Sequence, residues 1–138
     1  EAETLREMGA EYGAATGRTR RGGPLDIVAT RYGAMMQGAD VIALTKLDIL
    51  SYMERIPVCV QYEVDGAPTD EFVFPAQLAG AKPLYEELPG WRKDIGHVRR
   101  FEDLPPEARA YVEYVERKIG RPIKYVSVGP DRDAIILR

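Results

Sequence analysis

The sequence predicts an α/β fold with a mostly parallel sheet and an antiparallel hairpin. Three observations carry this. Val41-Ile42-Ala43-Leu44 is a short apolar run without alternation, the pattern of a strand covered on both faces in a parallel sheet. Residues 56–64 (Ile-Pro-Val-Cys-Val-Gln-Tyr-Glu-Val) form a longer run rich in β-branched residues, and the Asp65-Gly66 turn signal after it marks a hairpin. Ala108, Val112, Val115 and Ile119 recur at helical spacing and define one apolar face.

In chain order, residues 4–9 read as the end of a helix with Leu5 and Met8 on one face. Residues 11–23 form a glycine-punctuated loop. Pro24 opens a second helix, with Asp26 in its first turn, Leu25, Val28, Tyr32 and Met35 on its apolar face, and Gly38 as its stop. The run at 41–44 leads straight into Thr45-Lys46-Leu47-Asp48. After the strand at 56–64, the returning strand is expected at 71–74. Residues 76–97 read as irregular, punctuated by Pro83, Pro89 and Gly90. Asp103 is the expected N-cap of a helix started by Pro105 and Pro106 and ended by Gly120 and Pro122. Residues 123–126 form a strand opening into Ser127-Val128-Gly129-Pro130-Asp131-Arg132, and residues 134–137 form a last short one.

A chain of 138 residues is one unit, 1–138, able to hold a core without staples. With 45% hydrophobic and 30% charged residues it is globular rather than disordered. A net charge of -3 excludes a strongly basic nucleic-acid surface. The lone Cys59 excludes an internal disulfide framework and fits a reducing, cytoplasmic setting. No apolar run approaches the ~20 residues of a membrane span, and the first residues lack the pattern of a signal peptide. The chain begins without Met inside what reads as a helix, so a fragment or processed chain is expected. Thirteen glycines and ten prolines predict a large share of loop.

In parallel sheets, ligands gather beyond the carboxyl ends of strands. Two polar loops follow strands here, Thr45-Lys46-Leu47-Asp48 and Ser127-Val128-Gly129-Pro130. A carboxylate such as Asp48 accepts two hydrogen bonds from adjacent donors. Guanine offers such a pair at N1–H and its 2-amino group, whereas adenine N1 is an acceptor. The Lys46 stem suits the flat face of a base. Gly129 permits close backbone approach, where N–H groups could meet a purine carbonyl. Each loop alone could equally be an ordinary surface turn; both on one edge of one sheet are more telling. Thr16-Gly17-Arg18-Thr19-Arg20-Arg21 sets three guanidinium groups in a glycine-rich loop, an anion site for carboxylate or phosphate, or a solvated basic loop. His97 stands among charged neighbours, Cys59 reads as a small core residue and Trp91 as a packing anchor. No Cys/His cluster supports a metal site.

Four motifs in order carry a family resemblance. Glu11-Tyr-Gly-Ala-Ala-Thr-Gly-Arg-Thr-Arg-Arg-Gly-Gly-Pro-Leu-Asp26 resembles the signature loop of the adenylosuccinate synthetases. Ala43-Leu-Thr-Lys-Leu-Asp-Ile-Leu50, Tyr85-Glu-Glu-Leu-Pro-Gly-Trp91 and Ser127-Val-Gly-Pro-Asp-Arg132 resemble further segments of that family, with matching order and spacing. The resemblance covers essentially the whole chain and identifies it with the C-terminal third of the enzyme, part of a P-loop-NTPase-like fold. It implies a GTP- and Mg²⁺-dependent ligation of IMP with L-aspartate to adenylosuccinate, on the way to AMP. By it, Ala14, Ala15, Thr16, Gly17, Arg18 and Arg20 bind aspartate and IMP, with Thr16 and Arg18 central. Arg20, Lys46, Leu47 and Asp48 bind GTP together with Ser127, Val128, Gly129 and Pro130. The family's phosphate loop, catalytic Asp and His, and Mg²⁺ ligands lie near the other end of the enzyme and match nothing here; Pro24 stands where the family usually carries Trp. The implied partners are the N-terminal remainder and, for the complete enzyme, a second copy in a homodimer, with no nucleic acid or membrane. Two alternatives stay open: a non-catalytic purine-nucleotide-binding module, and an excised folding unit that binds nothing tightly.

Overall fold

The computed structural model describes residues 2–20 and 22–138. Arg21 and the Leu5 side chain, both part of the expectations above, lie outside the described residues. The elements are α1 (Ala2–Met8), β1 (Leu25–Asp26), α2 (Ile27–Met36), β2 (Ile42–Leu44), β3 (Arg55–Val64), β4 (Ala67–Thr69), α3 (Pro75–Leu78), β5 (Lys82–Pro89), α4 (Pro106–Ile119), β6 (Ile123–Ser127) and β7 (Ile135–Leu137). The class is α/β. The single sheet expected is instead two mixed sheets. In the first, β3 pairs in parallel with β1 and antiparallel with β4 and β5. In the second, β2 and β6 are parallel neighbours and β7 adds antiparallel to β6.

Several boundaries differ from expectation for local reasons. Pro24 does not open a helix. Leu25 and Asp26 first pair with Val58 and Cys59, and Asp26 then serves as the N-cap of α2, its carboxylate accepting from Ala29 N–H at 2.9 Å. The hairpin returns at Ala67, not at residue 71. Asp65 and Gly66 both take positive φ (51° and 81°), the conformation of a tight two-residue turn, so Val64 pairs directly with Ala67. Residues 82–89 are a strand rather than irregular; β5 pairs with β3 alone, and an edge strand tolerates Pro83 and Pro89. Asp103 lies in a 3₁₀ turn, and the N-cap of α4 is Pro105, with no side-chain cap bond. β2 is not covered on both faces, since Ala43 is exposed and Ile42 and Leu44 are half-buried.

The core lies between the sheets and α4. Ala108, Tyr111, Val112, Val115 and Ile119 bury the face expected of that helix, against Ile123, Val126 and Ile136 of the second sheet and Ile56 and Val58 of the first. Gly120 ends α4 in the left-handed region, φ 74°, where glycine has no side-chain penalty. Trp91 is the expected anchor: its ring meets Tyr111 edge to face at 6.0 Å, and its indole N–H donates to Ser51 Oγ at 2.9 Å. Cys59 is buried beside Val28 and Tyr62, and burial pushes its thiol pKa up, as suits a small core residue. Among the described residues, no helix is long and apolar enough to cross a membrane.

Candidate functional site

The two post-strand loops come together because β2 and β6 are parallel neighbours. Leaving β2, the chain turns at Lys46, whose φ of 60° is unusual for a residue with a side chain. Leu47 is then driven into the core, and its N–H donates to Ser127 O at 2.9 Å, tying the two loops directly. The next residue, Asp48, starts a 3₁₀ turn closed by a bond from Ser51 N–H to Asp48 O at 3.1 Å. Leaving β6, Val128 is fully buried and donates to Ala134 O at 2.9 Å, while Ser127 Oγ donates to Gly129 O at 3.1 Å. A Cβ on Gly129 would meet the Ala134 methyl at 3.1 Å, tighter than ordinary contact.

Between these loops lies a cleft of about 570 Å³, lined by Asp48, Val128, Gly129 and Pro130 and rimmed by Arg92 and Lys93. Asp48 Oδ1 is buried there without a hydrogen-bond partner among the described residues. Leaving such an acceptor unpaired costs about 1–3 kcal/mol, which makes Asp48 the residue of this cleft whose hydrogen bonding is incomplete among the described residues.

A second cleft, about 680 Å³, lies on the other side of residues 44–50 and is lined by Arg20, Lys46 and Leu47 together with Glu11, Leu25 and Tyr111. Here the arginine loop forms a small hairpin. Tyr12 bridges to Thr19, Gly13 N–H donates to Arg18 O at 2.8 Å, Gly17 closes the tip with φ 64°, and Arg20 N–H donates to Glu11 O at 3.0 Å. Thr16 Oγ1 accepts from Arg18 N–H at 3.3 Å inside the turn. Ala14, Ala15, Thr16, Gly17 and Arg18 are exposed at the tip and line neither cleft. Thus the structure joins Asp48, Val128, Gly129 and Pro130 in one cleft, places Arg20 and Lys46 in the next, and holds the hairpin tip apart. The Lys46 ammonium is turned to Glu11 and to Gly9 O, the latter at 2.6 Å.

Sequence reasoning did not single out Glu11, Arg92 or Lys93. Glu11 entered only as the first residue of a loop, and nothing local signals a bond to a lysine 35 positions away. His97 is exposed and lines neither cleft. Among the described residues, no three His, Cys, Asp or Glu side chains gather as a metal-ligand set.

Comparison with known proteins assigns the chain to a family. A family model described as adenylosuccinate synthetase matches residues 1–136. The chain is 47% identical over 138 residues to the adenylosuccinate synthetase of Acidothermus cellulolyticus, covering 99% of this chain and 32% of that protein. It is 50% identical over 139 residues to that of Leifsonia xyli, covering 99% and 31%. Among solved structures, a fully ligated adenylosuccinate synthetase from Plasmodium falciparum superposes with a TM-score of 0.94 at 36% identity, covering 99% of this chain and 34% of that one. The chain therefore spans about a third of the length of the relatives it matches. Matched by that family model over residues 1–136, almost its whole length, the chain belongs to the adenylosuccinate synthetase family.

Proposed function

We propose that this chain is the C-terminal third of an adenylosuccinate synthetase and supplies guanine and aspartate recognition to the GTP-dependent ligation of IMP with L-aspartate. The observation that carries the reading is that Asp48, whose buried Oδ1 has no partner among the described residues, lines the cleft beside Gly129 and Pro130. A carboxylate there takes guanine N1–H and the 2-amino group as a pair and presents adenine N1 with a second acceptor. The hairpin tip presents Arg18 and Thr16 for the aspartate carboxylates and IMP ribose, and Arg20 faces the GTP side. In this reading the Mg²⁺ ligands, the phosphate loop and the catalytic Asp and His fall to the N-terminal remainder. The complete enzyme acts as a cytoplasmic homodimer in this reading.

The test is Asp48→Asn in the complete enzyme. Asn turns one acceptor into a donor, and xanthine carries a carbonyl where guanine carries its 2-amino group. GTP use should fall and XTP use rise. Each unpaired buried group costs about 1–3 kcal/mol, so the XTP/GTP ratio of kcat/KM should move about 10- to 100-fold per bond. A solvated turn aspartate predicts no change, and a shift below about threefold overturns the reading.

A further inference from the structure

Glu11 stands where the arginine hairpin meets the segment after β2. One of its carboxylate oxygens accepts from the Lys46 ammonium; the other accepts from the Arg20 guanidinium at 3.3 Å. Its backbone carbonyl also takes Arg20 N–H at 3.0 Å. Among the described residues, Glu11 is the one side chain of the hairpin, residues 11–20, bonded to residues 45–48. Lys46 is pinned from a second direction by Gly9 O, one residue beyond α1, and Arg20 O accepts from Arg6 Nε at 3.1 Å. The hydrogen bond from Lys46, ahead of its charge and that of Arg20, holds the Glu11 carboxyl below the usual carboxylate range despite some desolvation. One carboxylate thus holds together two cations that belong to different recognition loops.

We propose that Glu11 is a positioning residue that couples the two recognition loops, so that filling the hairpin side favours the nucleotide side and the reverse. This rests on the functional reading above. Without the Glu11 charge, Lys46 and Arg20 line the same cleft as like charges, and among the described residues no other hairpin side chain holds the Lys46 turn. Each loop still folds through its own backbone bonds, Gly13 to Arg18 and Leu47 to Ser127. The predicted defect is therefore lost coupling, with each site still able to bind.

The test uses the full-length synthetase and GDP, which cannot phosphorylate IMP. The dissociation constant for GDP is measured with and without saturating IMP and L-aspartate. The ratio should be about fivefold or more in the unaltered enzyme, within the usual range of coupling between sites. In Glu11→Gln, which keeps the shape and loses the charge, the ratio should fall below about twofold; Glu11→Asp should lie between. Lys46→Gln breaks the same link from the other side, and adding it to Glu11→Gln should lower the ratio no further. A ratio unchanged in Glu11→Gln, or a further drop in the double variant, overturns the proposal. So does equal weakening of GDP with and without the other substrates, which is what a merely structural role predicts. The Asp48→Asn change in nucleotide preference is read separately, so an intact XTP shift with an unchanged coupling ratio sinks this inference alone.

Discussion

Arg18 and Arg20 are two residues apart and differ in their surroundings. Arg20 already meets a carboxylate within the chain, Glu11, whereas the Arg18 guanidinium at the hairpin tip has no partner among the described residues. The free fork is the one suited to an incoming carboxylate. Arg18→Leu in the complete enzyme should raise the KM for aspartate steeply, because losing a charged, bidentate contact costs about 2–5 kcal/mol when the partner stays buried. Lysine restores charge without the fork, so Arg18→Lys should recover only part of the loss. Steady-state kinetics with aspartate as the varied substrate decides it, and an unchanged KM in the leucine variant removes Arg18 from the site. At this scale the sequence was informative where the chemistry is local. Asp48 and Gly129 were legible because each follows a strand, and the two strands are neighbours. Glu11 was not, because its role depends on a contact across 35 residues.

At the scale of elements, what was legible followed pattern and composition. The helix at 106–119 was readable because its apolar residues repeat, and the strand at 55–64 because it is rich in β-branched residues and ends at a turn signal. β5 was missed because Lys82-Pro-Leu-Tyr-Glu-Glu-Leu-Pro89 carries two prolines and two glutamates, and only Leu84 and Leu88 are half-buried. What holds it is pairing with β3, and pairing leaves little mark on an edge sequence. The join between these strands makes a sharp prediction. Gly90 N–H donates to Glu54 O at 2.8 Å, and a Cβ at Gly90 would sit 1.9 Å from the Met53 carbonyl oxygen. The obstacle is backbone and cannot rotate away, so Gly90→Ala should destabilise the fold by about 3 kcal/mol or more, at or beyond the usual cost of overpacking. Gly80 is the control: its added Cβ would come no closer than 3.9 Å to Gln77 O. Gly80→Ala should unfold within a few degrees of the parent. Thermal unfolding of both variants checks the contrast, and equal midpoints would show that the chain crossing at Gly90 relaxes.

On the scale of the whole molecule, the residues proposed for recognition sit in and beside two clefts of the described structure. These clefts present carboxylates, guanidinium and ammonium groups, and backbone groups. His97 is exposed and lines neither. The outer face of the second sheet carries the apolar row Ala43, Tyr125 and Leu137, with Tyr125 46% and Leu137 70% exposed. The inner row, Leu44, Val126 and Ile136, faces the core. The flat run at 41–44 implied cover on both faces, and under the proposed reading the remainder of the enzyme supplies the second cover as well as the chemistry. General acid–base groups each contribute about 10²–10⁴-fold to such reactions. The purified 138-residue chain should therefore form no adenylosuccinate from IMP, aspartate and GTP above the no-enzyme rate, followed by absorbance. Adding the separately prepared remainder should restore some turnover if the apolar row is where the two parts meet, and Leu137→Asp should reduce that recovery more than Lys124→Asp on the same strand pair. Turnover that co-purifies with the 138-residue chain alone would overturn the division of labour. It would mean that a group in these clefts moves protons during the reaction, a role that neither the positions nor the partners of Asp48, Lys46 and Arg20 supply.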